Sequence, residues 1–171
     1  MSAEILKRAR IACAQPVAYK LGMGGMKPVR ESPANSEGQC DCSGFVSWCL
    51  GVSRQTADPF YKQLNGGWIE TTAVVADALA ARGLFAKVDS AEVGDIMVWG
   101  DSKKNGRTVQ GHIGIVSVVE NGRATRVIHC SNGNFRRSGQ AVQETSADIF
   151  HNNGAIYARY VALMAAVPAG G

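Results

Sequence analysis

Asp41-Cys42-Ser43-Gly44-Phe45-Val46-Ser47-Trp48-Cys49-Leu50-Gly51 reads as one short buried helix. Asp41 is a side chain suited to the N-cap, and Cys42, Phe45, Val46, Cys49 and Leu50 recur at helical spacing before Gly51 ends the run. That reading puts Cys42 in the first turn, facing unsatisfied backbone N–H groups and the positive end of the helix dipole. Such a position favours thiolate over thiol, and hence a nucleophile. The bland alternative is a small buried core residue, the commonest fate of a free cysteine. Gly44 is expected to remove bulk where a substrate would approach.

Outward from this helix, Ser2 to Gln15 reads as an amphipathic helix with Ile5, Ala9 and Ala12 on one stripe and Pro16 at its end. Gly22 to Gln39, rich in glycine and with two prolines, is expected to run irregularly over the surface. A further helix is expected over Thr72–Arg82, closed by Gly83 as its C-terminal cap. Beyond it the period changes. Asp95–Trp99, His112–Val119, Ala124–Cys130 and Ala155–Leu163 read as strands, β-branched and aromatic, separated by Gly and Asn turns. Helices first and strands after, with short connections among the strands, predict an α+β fold with an antiparallel sheet on which the helix begun by Cys42 packs.

The strand from His112 alternates faces, so His112, Gly114, Val116 and Val118 share one side. A two-residue Asn121-Gly122 turn flanked by Glu120 and Arg123 would set Gly114 opposite His129, with His112 one diagonal step away. A bulge between Glu120 and Arg126 would change that register. The pairing brings two imidazoles to one face and leaves room beside them at Gly114. A thiolate, an imidazole to take and return a proton, and a polar group to orient that imidazole together suit nucleophilic catalysis. His151, beside Asn152 and Asn153, reads as surface decoration.

Four segments in order, Asp41-Cys42-Ser43-Gly44-Phe45-Val46, Val93-Gly94-Asp95-Ile96-Met97-Val98, Gly111-His112-Ile113-Gly114-Ile115-Val116 and Val127-Ile128-His129, resemble the motifs of NlpC/P60 cell-wall cysteine peptidases. The related CHAP amidases share the same papain-like core. The resemblance implies a papain-like α+β fold with the nucleophile at the N-terminus of a central helix. It implies Cys42 as nucleophile, His112 as base and His129 as orienting residue, with Ser131 or Asn132 as alternatives because the spacing from His112 is longer than the family's. It also implies Tyr19 near the thiol, and Asp41 and Ser43 where some members hold the free amine of a stem peptide. Each of these three has an alternative reading: Tyr19 as packing, Asp41 as a helix cap, and Ser43 as a hydroxyl without a base. The implied reaction cleaves a peptidoglycan stem-peptide amide, such as that between D-glutamate and the diamino acid, through a thioester, with no metal or organic cofactor. A CHAP-like N-acetylmuramoyl-L-alanine amidase or a cross-bridge endopeptidase is the nearest alternative.

Composition bounds these readings. The chain has 171 residues, 46% hydrophobic and 19% charged, which suits one domain over 1–171, with 1–39 supplying an N-terminal helix and loop that lead into the core. The longest apolar run, Val161–Val167, is far shorter than the roughly 18 residues needed to span a bilayer, so membrane insertion is not expected. The net charge of +4 is spread along the chain without interleaved aromatics, which argues against nucleic acid as partner. Five cysteines leave at least one unpaired within the chain. A zinc module built from Cys40, Cys42, His112, His129 and Cys130 would lack the usual ligand spacings. An inactive binding module of the same fold is a third reading. The charged start, with Glu4, Lys7, Arg8 and Arg10, does not resemble a signal peptide. Synthesis in the cytoplasm followed by delivery to the wall, by phage or by a secretion system, is therefore expected. An immunity protein or delivery machinery would be the partner of such an effector.

Overall fold

The computed structural model describes residues 2–161. The N-terminal helix α1 (Ser2–Cys13) buries Ile5, Ala9 and Ala12, the stripe its spacing predicts. Two short parallel strands, β1 (Ala18–Tyr19) and β2 (Gln39–Cys40), bracket the glycine-rich loop and lead into α2 (Cys42–Cys49). Helices α3 (Pro59–Asn65) and α4 (Thr71–Ala80) follow. Then come β3 (Phe85–Val88), β4 (Ile96–Trp99), a small exposed hairpin of β5 (Ser102–Lys104) and β6 (Arg107–Val109), and the long pair β7 (His112–Glu120) and β8 (Arg123–Cys130). The described chain closes with α5 (Asn132–Ser138), β9 (Val142–Ser146), α6 (Asp148–Asn152) and β10 (Ile156–Tyr160).

The main sheet has six strands in the order β3-β10-β4-β7-β8-β9, all pairs antiparallel. The architecture is the expected α+β one, with α2 packed on an antiparallel sheet in a papain-like arrangement. One face of the sheet, with Ile113, Ile115 and Ile128, joins α1, α2 and α4 in the main core around Phe45 and Val74. The other face, with Met97, Val116 and Val127, buries Phe150 of α6. This division follows from the two-residue period of β7 and β8.

The β7–β8 register agrees with the two-residue turn: Glu120 pairs with Arg123, and Ile115 with Ile128. An irregularity between Val116 and Val119 is absorbed before the histidines are reached. Asn121 and Gly122 both take positive φ, as that turn requires.

Elsewhere the expectations need correction. Gly83 is not the cap of α4: the helix ends at Ala81, which itself takes the left-handed conformation at φ 52°. Gly83 serves the next turn, where the buried Asp77 carboxylate accepts from the N–H groups of Gly83, Leu84 and Phe85 at 2.7, 2.7 and 3.0 Å. A β-carbon on Gly83 would lie 2.9 Å from that carboxylate. The glycine-rich loop is only partly a surface feature. Gly24 and Gly25 are buried against α2, where a β-carbon on Gly44 would fall 2.7 Å from the Met23 carbonyl. Gly44 is thus small to admit this loop rather than a substrate. His151 is half-buried, with Nε2 2.9 Å from the Ala124 carbonyl, so it ties α6 to β8 rather than decorating the surface. The last strand is described as Ile156–Tyr160; the remainder of the expected span, and Val161–Val167 beyond its first residue, lie outside the described residues. No helix among the described residues is long and apolar enough to cross a membrane.

Candidate active site

Cys42 opens α2 as expected, and Asp41 caps it, accepting from the Gly44 N–H at 2.9 Å. The other Asp41 oxygen accepts from the Gly22 N–H and from Arg54 Nη2, both at 2.7 Å. Asp41 and Arg54 are 1% and 2% exposed, so this is a buried ion pair whose carboxylate is filled from within the chain. Ser43, also buried, stands 3.4 Å from the same guanidinium nitrogen. A free substrate amine at Asp41 would have to compete with these donors. Nothing local in the sequence marks Arg54; its guanidinium stacks over Trp68 at 4.6 Å, which explains the aromatic in the loop after α3.

Burial pushes the Cys42 thiol up to about 12, and the Asp41 charge adds to the rise. Ser43, Arg54 and the backbone of Ile113 lower it by less. The helix-start argument for a resting thiolate is therefore overturned by desolvation. The contact with the Ile113 backbone places the thiol at the beginning of β7.

The histidines occupy the sheet face opposite α2, among Phe150 and Trp99. His112 Nε2 lies 2.7 Å from His129 Nδ1, and His129 Nε2 lies 2.9 Å from Thr145 Oγ1 on β9. Gly114 makes this approach feasible, because a β-carbon there would fall 2.9 Å from the His129 β-carbon. Burial holds His112 down to about 3, helped by His129; burial holds His129 down to about 4, helped by the Arg137 charge. Both rings are thus neutral near pH 7. Of the alternative orienting groups, Ser131 is engaged as the N-cap of α5, accepting from Asn134 N–H at 3.0 Å, and Asn132 begins that helix. The ring against His112 is His129.

Two cavities meet at this point. One of about 240 Å³ contains Cys42, Arg54 and Trp68; another of about 560 Å³ contains His112, His129 and Arg137. Tyr19, Gln110 and Gly111 line both, so Tyr19 stands at the junction between thiol and imidazoles. Burial raises the Tyr19 phenol, with Cys42 the next contributor, which keeps it a neutral hydroxyl. Thr145 escaped the sequence reading because nothing in Val142–Ser146 marks it beyond ordinary strand chemistry.

Comparison with known families adds a constraint independent of this geometry. A family model described as the CHAP domain matches residues 32–134, more than half of the chain, including Cys42, His112 and His129. The chain belongs to the CHAP domain family. Membership points to peptidoglycan hydrolysis, by an amidase or a peptidase, as the class of activity. No curated protein matched the chain. Against the metal alternative, Cys40 and Cys130 are buried in the main core while the histidine pair faces the other side of the sheet. Among the described residues no group of three or more His, Cys, Asp or Glu stands together as candidate ligands.

Proposed function

We propose that this CHAP domain hydrolyses an amide bond of peptidoglycan stem peptides through a thioester on Cys42, acting as one domain over residues 1–171. The observation that carries the reading is the 2.7 Å contact between His112 Nε2 and His129 Nδ1, beside a cleft whose other half holds the thiol. With both rings neutral and the thiol protonated, attack and proton transfer go together. Cys42 Sγ bonds to the carbonyl carbon while its proton passes to His112. The oxyanion that forms is met by the Cys42 backbone N–H at the start of α2. Collapse breaks the C–N bond, and His112 returns the proton to the leaving amine. Water, deprotonated by the same ring, then attacks the thioester carbonyl; collapse breaks the C–S bond, frees the acid, and His112 returns the proton to Cys42 Sγ. His129 holds His112 in place through their ring–ring hydrogen bond throughout.

A second reading concerns the bond. Because Gly44, Gly22 and Arg54 already fill the Asp41 carboxylate, a substrate lacking a free amine suits this cleft. That supports an N-acetylmuramoyl-L-alanine amidase or a cross-bridge endopeptidase over an enzyme that requires trimmed stem peptides. It also fits action on intact wall after delivery by phage or a secretion system.

Mass spectrometry of defined muropeptides and intact sacculi, incubated under reducing conditions with wild type and Cys42→Ala in parallel, tests both readings. Cleavage by wild type only is expected, and the fragment masses name the bond. Equal cleavage by the variant overturns the thiol mechanism. Activity confined to stem peptides with a free amine overturns the second reading.

A further inference from the structure

The hydroxyl of Thr145 has one proton to give, and its geometry commits that proton. Thr145 Oγ1 donates to the Ser146 carbonyl at 3.1 Å. Toward His129 Nε2, 2.9 Å away, the hydroxyl can then only accept, so the proton in that bond belongs to the ring. A neutral imidazole carries a single N–H. With it on Nε2, His129 Nδ1 is a bare lone pair, and the 2.7 Å bond to His112 must be donated by His112 Nε2–H. His112, also neutral, is left with Nδ1 as its only basic nitrogen. The chain of bonds therefore runs one way, from His112 through His129 and Thr145 to a backbone carbonyl.

The reverse direction would use the same distances. If Thr145 gave its proton to His129 Nε2, then His129 Nδ1–H would donate to His112 Nε2, and the His112 proton would lie on Nδ1. Nδ1 could then not accept the thiol proton, and Nε2 would be occupied by His129. The two directions differ in whether His112 retains a basic nitrogen free of His129. The Ser146 carbonyl, which can only accept, breaks the tie.

We propose that Thr145 is a positioning residue that sets the tautomers of His129 and His112 and so leaves Nδ1 of His112 free to act as the base. The proposal rests on the thiol mechanism above for its kinetic consequence, but the tautomers it specifies exist in the resting enzyme. The fold supports the assignment. In the β8–β9 pairing Val127 faces Thr145 and His129 faces Gln143, so Thr145 lies on the histidine face, one diagonal step from His129. A β-branched side chain on a strand holds its hydroxyl in a restricted rotamer. β9 lies beyond the segment matched by the family model, so the match assigns it no role.

The test begins with nitrogen-15 NMR of the imidazoles in the full-length resting enzyme at neutral pH. Nε2–H tautomers at both His129 and His112 are expected; an Nδ1–H tautomer at either overturns the proposal, whether or not a substrate is known. The kinetic arm compares Thr145→Val, which keeps the shape and removes the hydroxyl, with Thr145→Ser, which keeps the hydroxyl. A misset tautomer impairs base catalysis, so Thr145→Val should lower kcat by about tenfold or more at an unchanged KM, with Nδ1–H populated at His129. Thr145→Ser should restore both rate and tautomer. A Thr145→Val enzyme with wild-type kcat and Nε2–H tautomers overturns the proposal. So does a Thr145→Ser enzyme that folds yet stays as slow as Thr145→Val. If Thr145→Val does not fold, the wild-type tautomers and Thr145→Ser still decide. A wild-type enzyme inactive on every wall substrate but carrying the specified tautomers would separate failure of the functional reading from failure of this one.

Discussion

The thiol side of the cleft and the imidazole side are held by opposite means. Around Cys42 the interior contains full charges: Asp41 and Arg54 pair out of contact with water, and three donors engage the carboxylate. Around His112 the linked groups themselves are neutral, and order comes from hydrogen bonds through His129 and Thr145 on a face lined by Phe150 and Trp99, with the Arg137 charge in the adjoining cavity. Charges are suited to locking a backbone, and here they fix the start of α2 and the loop at Gly22. A neutral relay is suited to passing a proton on, because burial disfavours the charged His112 and drives the proton from the imidazolium to the leaving group.

The contrast can be broken most strongly at the reacting atoms. Cys42→Ala should abolish turnover with a nearly unchanged thermal midpoint, since the change removes one sulfur at the cleft; residual turnover near wild type would remove the thiol from the mechanism. His112→Ala should lower kcat by about 10²–10⁴-fold in steady-state assays. On the charged side the loss should appear in stability. Arg54→Ala strands a buried carboxylate and should destabilise by about 3–5 kcal/mol in urea unfolding, and replacing both partners by apolar residues should recover part of this. On the neutral side His129→Ala should reduce kcat less than His112→Ala, because the base survives but turns freely.

The smallest effects lie in pH dependence, and they sharpen the contrast. His112 and His129 titrate near 3 and 4 in the folded chain against 6.5 for the free side chain, so the unfolded chain binds more protons between these values. Stability from the pair is fully present above about pH 6.5 and falls as pH drops through 4 toward 3. His129→Gln should flatten that slope in urea midpoints measured from pH 7 to 4. With the thiol pushed up to about 12, alkylation of Cys42 by iodoacetamide, followed by mass spectrometry, should keep rising from pH 7 to 10. A plateau below pH 7 would show a preformed thiolate–imidazolium pair.

The periodic elements were legible because their signals are local. The α2 cap, the β7 alternation and the Asn121-Gly122 turn each lie within a few residues, and together they placed Cys42, His112 and His129. What escaped depended on distant partners. Arg54 looks like any surface arginine until Asp41 is beside it, and Thr145 is an unremarkable strand residue until β9 pairs with β8. The state of Cys42 is hidden for a related reason: the helix terminus is visible in sequence, whereas the depth of burial that outweighs it is not.

The placement of β10 bears on where this enzyme could be cut. The family match ends at residue 134, yet β10, made of Ile156–Tyr160, lies between β3 and β4 and is hydrogen-bonded to both. Excision at the boundary of the match would separate β3 from the sheet, strip one edge of β4 and one edge of β8, and present those open edges to neighbouring molecules. Such a fragment would retain Cys42, His112 and His129 and still be expected to aggregate rather than catalyse. The segment by which the family is recognised is shorter than the segment that has to be present for its chemistry to be assembled.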